Sequence, residues 1–499
     1  TADLNSGMAY ANGDPYFNVS TKQLGFYFQA DWRLPHRLTL NIGLRWDKDF
    51  NFIGGSDIKD SRTYQELVAL NSPVSNPYVA SIAHDDNLDF SPRVGFAYDL
   101  TGKGNHVLRG GFGFYYGNIF QNIPLFMEQM ANATVFQTVL SLSGASDSVP
   151  GTTKTLGTWQ YYLDPLPTLP PPSTELASGS VGRLMDPHYR NPFTEEFNLG
   201  YTWAVNQKTA IEAEYTHVLG LHINKTINID QKIPINGVMT RPLDPAFANN
   251  PSLAEMASVR NEESINREHY DGFNLSMRQH MMPHFQLEAN YTLSWAYGYD
   301  SGSSFRAYPR VAFDPFASYE WGPSTNDERH HITVSGVVNL PKGFVIAPIL
   351  QYGSPRPYSP TNSTNAINSG GGTTSAVLVP IGDLTNYTAY PTASQSDTTN
   401  CFFGIGESQS CTIAKYDPLR GDPFFELDAR LAKNFKFHDR INVQLVAEAF
   451  NLTNRSNYGN DFGTSISSSH FGKPVGFINP GGVITPKSIW GQLGARFTF

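Results

Sequence analysis

Adjacent histidines beside three charged residues form a dense group of potential metal ligands. They lie in the segment Asp327-Glu328-Arg329-His330-His331. Neighbouring residues of an extended strand point to opposite faces, so two adjacent imidazoles cannot readily bind one ion. We therefore predict no metal site and place this segment at the outer rim of a strand. His217 and His222 are interpreted as rim residues in the same way.

The chain contains two cysteines, Cys401 and Cys411. Two thiols without a histidine between them make a poor zinc site. In an oxidising compartment they would form a disulfide, and closing a loop of about ten residues would remove chain entropy worth about 2–3 kcal/mol. We predict the disulfide, with metal binding by the two thiolates as the alternative.

Motifs for nucleophilic, metal-dependent or phosphate chemistry do not occur in the sequence. It has no G-x-S-x-G, no H-E-x-x-H and no glycine-rich phosphate loop. No spacing singles out a Ser, His and Asp set that folding could assemble. We predict that the protein is not an enzyme and that it uses no cofactor.

Apolar and polar residues alternate in long segments that must position any site. In the last of them Leu493, Ala495, Phe497 and Phe499 share one face, and the sequence ends on that aromatic. Several segments run to about ten residues, more than the 5–6 of a typical soluble strand and close to the 9–11 that cross a bilayer. We interpret the last segment as an outer-membrane insertion signal, which is read by the barrel-assembly machinery.

Composition agrees with membrane-spanning strands and excludes two other classes of protein. Aromatic residues make up 13% of the chain, including 25 Tyr and 33 Phe, which suits aromatic girdles at two membrane interfaces. Mean hydropathy is −0.33, and the sequence has no apolar run long enough for a spanning helix. A net charge of −9 and a pI near 5.8 make nucleic acid an unsuitable partner.

Thirteen strands with this alternation can be counted along the chain. Their centres fall near residues 28, 42, 95, 112, 200, 213, 275, 290, 335, 348, 430, 446 and 494. Short turns alternate with long connections. The long connections cover about 51–87, 118–191, 225–266, 299–327, 359–422 and 459–487. This predicts an all-β fold, a transmembrane antiparallel up-and-down β-barrel.

The alternation of turn lengths also predicts an orientation in the bacterial outer membrane. In bacterial barrels the short turns face the periplasm and the long loops lie outside the cell, which places the carboxyl terminus in the periplasm. Thirteen is odd, whereas a closed bacterial barrel needs an even count. We therefore interpret residues 1–499 as the carboxyl-terminal portion of one barrel domain. The alternative is a missed strand within residues 1–20, a segment without alternation that contains Asn12-Gly13-Asp14-Pro15.

Charged residues on the predicted lumen walls have two possible roles: they could line a path for a solute, or pair with one another and with a plug. We favour structural pairing because a barrel this wide is normally filled. The residues are Arg45, Asp47, Glu212, Glu214, Glu288, Glu426, Asp428 and Arg430.

The longest connection, 118–191, carries three aromatic residues followed by a proline-rich run. Trp159, Tyr161 and Tyr162 precede Pro165, Pro167 and Pro170-Pro171-Pro172. Polyproline is stiff and presents surface at low entropic cost, so the segment could act as a ligand lid or dock a partner. We favour an ordered loop stabilised by proline, and keep the three aromatic residues as weak candidates for substrate contact.

Several segments in family order resemble TonB-dependent receptors of the Oar-like kind. They are Phe26–Arg33, Leu38–Asp47, Ser91–Asp99, Val107–Gly113, Asp327–His331 and Ala447–Asn454. The resemblance implies a Gram-negative outer-membrane barrel with an amino-terminal plug that is energised by the TonB complex. Such transporters have about 22 strands, so about nine strands and the plug would lie outside this sequence.

Three functions are compatible with these features. The first is a receptor for energy-coupled uptake of a solute, with outer-membrane lipid, the plug, the remaining strands and the TonB complex as partners. The second is a passive pore. The third is a surface scaffold or secretion partner without solute uptake.

Overall fold

A computed structural model of the chain describes most of its residues. These are 8–12, 20–53, 55–119, 122–123, 125, 137–142, 144–168, 181–235, 238–280, 282, 284–299, 308–362, 376–390, 411–437, 441–477 and 488–499.

Strands dominate this part of the chain, and the few helices are short. The strands are β1 (Met8–Asn12), β2 (Lys22–Leu34), β3 (Leu38–Phe50), β4 (Asp89–Asp99), β5 (His106–Tyr116), β6 (Gln137–Leu142), β7 (Val181–Met185), β8 (Phe193–Asn206), β9 (Thr209–Asn228), β10 (Ile233–Ile235), β11 (Val238–Thr240), β12 (Ser258–Gln279), β13 (Phe285–Tyr299), β14 (Trp321–Pro323), β15 (His330–Leu340), β16 (Phe344–Gly353), β17 (Pro357–Tyr358), β18 (Leu378–Pro380), β19 (Cys411–Ile413), β20 (Leu419–Arg420), β21 (Phe424–Phe437), β22 (Ile441–Phe450) and β23 (Trp490–Thr498). The α-helices are α1 (Gly55–Asp60), α2 (Arg62–Leu70), α3 (Asn76–Val79) and α4 (Asp244–Asn249). No helix in the described ranges is long and apolar enough to span a membrane.

One large antiparallel sheet, called the barrel sheet below, contains the thirteen predicted strands. Its hydrogen-bonded order is β2-β3-β4-β5-β8-β9-β12-β13-β15-β16-β21-β22-β23. Every predicted centre falls inside one of these strands, which confirms the fold class and the count. Among the described residues β2 pairs with β3 alone and β23 with β22 alone, so the sheet has two free edges.

The pairing register gives the barrel sheet one apolar and one polar face. Phe26 lies opposite Trp46, and Trp46 lies opposite Phe90 in the next strand. The rings of Phe26 and Trp46 stack with their centroids 6.1 Å apart. Because side chains alternate along a strand, the intervening residues such as Arg45 and Asp47 project from the polar face.

Two of the short turns have the same local structure. Pro35–Arg37 joins β2 to β3, and Pro341–Gly343 joins β15 to β16. In each, proline fixes φ at the first position, while the second residue is left-handed, with φ of 65° at His36 and 63° at Lys342. These turns keep the neighbouring strands antiparallel and in register. We call this end of the sheet the short-turn rim.

At the opposite end, the long-loop rim, the connections fold into a layer with its own apolar cores. We call it the loop layer. Its described residues lie within 51–88, 144–168, 181–192, 224–266, 308–329, 354–362, 376–390, 411–423 and 451–477. One core joins Leu67 of α2, Leu184 of β7, Ile227 of β9, Phe247 of α4 and Val259 of β12. Residues far apart in sequence are thereby buried together.

Helix α2 shows how the sequence builds this layer. The hydroxyl of Ser61 accepts a hydrogen bond from the Tyr64 amide at 3.2 Å and caps the amino terminus. Asn71, left-handed with φ 45°, ends the helix, and its amide donates to the Leu67 carbonyl. Between these caps, Leu67 and Leu70 are buried against the neighbouring loops.

The structure differs from the sequence expectations in two respects. First, residues 1–20 do contain a strand, β1, although it pairs with β6 in a separate two-stranded sheet rather than joining the barrel sheet. Second, β9 and β12 are 20 and 22 residues long, and both extend into the predicted 225–266 loop: β9 ends at Asn228 and β12 begins at Ser258. There β12 also pairs in parallel with β7, and the extra pairing stabilises the extension.

Candidate functional site

Charged side chains on the polar face of the barrel sheet neutralise one another across and along the strands. The pairs are Arg45–Asp47 at 2.7 Å, Arg278–Glu288 at 3.3 Å and Arg430–Glu448 at 3.8 Å. Each pair includes at least one residue that the sequence places on the lumen wall. The geometry agrees with structural pairing as one role of these groups.

Arg109 links three neighbouring strands on the polar face. Its Nη2 lies 2.7 Å from Glu214 Oε2 and also contacts Glu212, while Nη1 donates to Thr202 Oγ1 at 3.3 Å. A Cβ at Gly200 would come within 3.1 Å of the Glu214 carboxylate and 3.3 Å of Arg109 Nε, so glycine leaves room for this network. The sequence-based prediction included Glu212 and Glu214 but missed Arg109, although its position on the polar face of a strand was readable from the alternation.

A groove of about 510 Å³ lies beside this network on the polar face. Its polar lining comes from Gln29, Asn41, Arg93, Tyr115 and Asn198, among others. The guanidinium of Arg93 stacks 4.2 Å from the centre of the Tyr115 ring. Amide groups, a stacked guanidinium and the Glu196 carboxylate in the same lining suit a polar solute, because they offer hydrogen-bond donors and acceptors on one wall.

The two adjacent histidines lie on opposite faces of β15, as the sequence predicts. His330 Nδ1 is 2.9 Å from the Tyr291 hydroxyl, whereas His331 Nδ1 is 2.5 Å from Glu328 Oε1. Glu328 also accepts from Arg356 Nε at 2.9 Å. Burial opposes ionisation of Glu328, but the hydrogen bonds from His331 and Arg356 outweigh it and lower its pKa. No group of three or more His, Cys, Asp or Glu in the described ranges could hold a metal ion.

Asp327 joins three segments at the long-loop rim. Its side chain is fully buried, and its Oδ1 accepts from the Ala296 amide at 2.9 Å. Arg420 Nη2 lies 2.7 Å and Arg329 Nη2 3.5 Å from Asp327 Oδ2. The carboxylate therefore holds the end of β13 and the start of β15 against the β19–β21 connection.

A buried ion pair organises the centre of the loop layer. Arg310 Nε lies 3.3 Å from Glu320 Oε1, with side-chain exposures of 9% and 0%. The guanidinium of Arg310 stacks 4.0 Å from the Tyr416 ring and donates to the Ala414 and Tyr319 carbonyls. Burial raises the pKa of Glu320, and the nearby Arg310 charge opposes that rise.

A second buried polar cluster connects the barrel sheet to the longest loop. Asn191 Nδ2 donates to Asp49 at 3.0 Å and to Asp89 at 2.7 Å. Gln23 Nε2 donates to Asp49 at 3.0 Å. Because Asn191 ends the loop that leads into β8, these bonds fix that loop to the rims of β3 and β4.

The loop carboxylate of Asp230 gives the loop layer a pH-dependent stability. It is buried, it accepts the Leu243 amide at 2.9 Å, and burial raises its pKa to about 7. A raised folded-state pKa stabilises the layer fully below the unfolded value of about 4, and this contribution is lost as pH rises through about 7. We expect amide exchange around 230–243 to be slower at pH 5 than at pH 8, after correction for intrinsic rates.

The Asp230→Asn variant tests that assignment by hydrogen exchange. The amide stays neutral, so the difference between the two pH values should shrink, although the buried Glu320 leaves a residual trend of the same sign. Asp60→Asn, at an exposed position of the same layer, is the matched control. An unchanged pH difference in Asp230→Asn would assign the effect to other groups.

The three aromatic residues proposed to contact a substrate occupy unlike positions. Trp159 is buried, and its Nε1 donates to the Pro165 carbonyl at 2.9 Å, so it supports the loop from inside. Tyr161 and Tyr162 are 57% and 89% exposed, with ring centres 4.1 Å apart. Of the three, only Tyr161 and Tyr162 are exposed enough to contact a substrate, and that contact stays a prediction. Pro170–Pro172 lie outside the described residues.

Cys411 begins β19 and is disulfide-bonded. Strand β19 pairs with β18, where Pro380 lies opposite Cys411. Cys401 lies outside the described residues, so the pairing of the two cysteines stays a prediction.

The predicted insertion signal forms the free edge strand β23 and its final residue. Leu493, Phe497 and Phe499 are highly exposed, and Leu493 and Ala495 lie opposite apolar residues of β22. The strand thus has the apolar face that the sequence predicts. Its role as a signal for barrel assembly stays a prediction.

The comparisons with known proteins agree with this architecture. A family model described as the outer membrane beta barrel domain matches residues 2–480, so the chain belongs to that family. It is therefore an outer-membrane β-barrel protein, whose apolar face contacts lipid and whose polar face lines the interior. No curated protein matches the sequence.

Solved structures with a similar arrangement include three outer-membrane proteins. The transporter YddB of Escherichia coli has a TM-score of 0.48 at 11% identity, over 87% of this chain and 42% of its own. A ferric enterobactin receptor of Pseudomonas aeruginosa has a TM-score of 0.43 at 10% identity, over 96% of this chain and 45% of its own. The siderophore receptor PiuA of Acinetobacter baumannii has a TM-score of 0.44 at 10% identity, over 96% of this chain and 43% of its own. The chain thus spans less than half the length of these proteins.

Proposed function

We propose that the chain is the carboxyl-terminal portion of the barrel of a TonB-dependent receptor of the Oar-like kind, which takes up a solute across the outer membrane. The observation that carries this proposal is the open sheet of thirteen strands with a polar inner face. An antiparallel bacterial barrel closes with an even number, and about 22 strands occur in plugged transporters. Further strands would pair with the free edges of β2 and β23, and a plug would fill the interior.

The polar face supports this proposal over a passive pore. Arg93, Asn41 and Asn198 line an open groove on this face. A plug held against such a wall would close the channel and present its own groups to the solute. On this proposal the protein has no catalytic role, the long loops are extracellular, the carboxyl terminus is periplasmic, and the TonB complex acts through the plug.

The loop layer supports a second candidate, a surface scaffold without solute uptake. Tyr161 and Tyr162 project into solvent from a loop that Trp159 and the Lys154–Asp164 pair at 2.6 Å hold in place. Exposed tyrosines on a rigid support are typical of protein-binding surfaces. A scaffold would use this surface to bind a protein outside the cell.

Solute depletion from defined medium distinguishes these functions. Cells with the gene, cells without it and cells with the gene but without TonB would be compared by mass spectrometry of the medium. The transporter proposal predicts a solute that disappears only when both the protein and TonB are present. Depletion that persists without TonB would indicate a passive pore, and no gene-dependent depletion would indicate a scaffold.

A further inference from the structure

A group of cationic and aromatic side chains lies on the apolar face near the long-loop ends of β12, β13 and β15. We call it the interfacial patch. It consists of Arg267, His269, Trp295, Tyr297, Tyr299 and Arg329. The register places His269 opposite Tyr297 and Asp271 opposite Trp295. The patch is therefore a continuous surface over neighbouring strands rather than a set of scattered residues.

Aromatic rings hold the two guanidinium groups of the patch. Arg267 Cζ lies 5.3 Å from the centre of the Tyr299 ring, and Arg267 Nη2 donates to the Tyr299 hydroxyl at 3.3 Å. Arg329 Cζ lies 4.8 Å from the Trp295 ring. Arg329 Nη2 also lies 3.5 Å from Asp327 Oδ2, a carboxylate that it shares with Arg420, whereas Arg267 forms no ion pair with any described residue. Stacking leaves guanidinium edges available for hydrogen bonds.

Asp271, a second carboxylate beside the patch, also has partners of its own. Asp271 Oδ1 accepts from Tyr215 at 2.6 Å and lies 2.8 Å from His217 Nδ1. Its Oδ2 lies 3.7 Å from His269 Nε2, and the His269 ring stacks on Trp321 with centroids 5.4 Å apart. Asp271 is thus turned to neighbouring hydroxyl and imidazole groups, and none of these bonds involves the two arginines.

Towards the membrane centre the same face becomes apolar. Phe273 and Leu275 follow Asp271 on the apolar face of β12, and Leu293 pairs with Phe273. In an outer-membrane barrel this surface is covered by acyl chains. The headgroups of the same lipid molecules must then lie at the level of the patch.

We propose that the interfacial patch binds the phosphate of an anionic lipid headgroup, with Arg267 and Arg329 as the donors. Guanidinium groups bind phosphate through paired hydrogen bonds, and aromatic side chains at the interface fix the depth of the headgroup. The chain as a whole carries a net charge of −9, so a local cationic surface is needed to retain an anionic lipid. The proposal rests on family membership and not on the transport function.

Native mass spectrometry of the protein purified from its membrane tests the proposal. Delipidated protein would be titrated with phosphatidylglycerol, with phosphatidylcholine or with inorganic phosphate. Wild-type protein should retain phosphatidylglycerol in preference to phosphatidylcholine. The R267Q/R329Q variant should retain it about tenfold less, since each interfacial cation contributes to the attraction of anionic lipid. Inorganic phosphate should not displace the lipid, because it lacks the acyl chains.

Two further variants keep the outcome clear. Arg278→Gln removes a cation of the polar face, where Arg278 pairs with Glu288 at 3.3 Å, and should leave lipid retention unchanged. Arg267→Gln alone changes an exposed side chain, so its lipid retention can be measured even if the double variant fails to fold. Equal retention by wild type and both arginine variants would overturn the proposal. Displacement by inorganic phosphate would instead assign the patch to free phosphate and would also overturn it.

Discussion

Replacing Arg310 by leucine should open the loop layer while the barrel sheet stays folded. The substitution removes the ion-pair partner that lies 3.3 Å from the fully buried Glu320 and frees the Ala414 and Tyr319 carbonyls. Removing one partner of a buried pair costs about 3–5 kcal/mol. Because the pair lies within the loop layer, we expect faster amide exchange in 308–323 and 411–423, with exchange in β21 and β22 unchanged.

A double-mutant cycle distinguishes the buried charge from loss of packing. R310L/E320L replaces both charges by apolar groups and should recover part of the stability, since neither member of the pair is left buried without the other. Arg278→Leu is the matched control: it breaks the exposed Arg278–Glu288 pair, which is worth about 0–1 kcal/mol. If R310L exchanged like wild type, the ion pair would not stabilise the layer.

Asp327→Ala should weaken the long-loop rim by a similar amount. It leaves Arg420 and Arg329 without their shared carboxylate and the Ala296 amide without its acceptor. We expect a loss of about 3 kcal/mol, because the two guanidinium groups lose the buried anion that they share. The measurement is the denaturant midpoint of the purified protein. The transition is monitored by the difference in gel mobility between the folded and the unfolded barrel.

Asp327→Asn provides the graded control. The amide oxygen can still accept from Ala296, but the negative charge is lost, so its midpoint should fall between those of wild type and Asp327→Ala. Equal midpoints for Asp327→Asn and wild type would mean that the charge of Asp327 contributes nothing. Equal midpoints for Asp327→Ala and wild type would contradict the role of this residue altogether.

The barrel sheet could be predicted from the sequence because alternation is a local signal. Trp32 and Leu40, for example, face one another across the Pro35–Arg37 turn, and both positions are readable from a period of two. The separation of His330 and His331 follows from the same rule. Each long strand must present one face to lipid, so the pattern persists over its whole length.

The loop layer could not be predicted in this way because its contacts join residues far apart in sequence. Arg310 meets Glu320 nearby, but its guanidinium stacks on Tyr416. Strand β1 pairs with β6, more than a hundred residues away, and neither segment shows the length or alternation of a barrel strand. No single-sequence pattern marks such partners, because the loops select them only when they fold together.

The interfacial patch could be predicted from the sequence only in part. Arg267 and His269 are two residues apart on one strand, so the sequence places them on one face. Trp321, however, which stacks on His269, comes from β14, a short strand beyond the loop that follows β13 and pairs with its end. Only the structure shows that these groups form one surface.

The mass of the protein extracted from its native membrane tests the central claim most directly. Denaturing gels and intact mass spectrometry would be combined with sequencing of any fragment that co-purifies. If these thirteen strands are part of a larger plugged barrel, the product should be about twice as long as this chain, or a tightly bound fragment should carry the plug and about nine further strands. A lone chain of 55.2 kDa that forms a closed barrel by itself would contradict the claim.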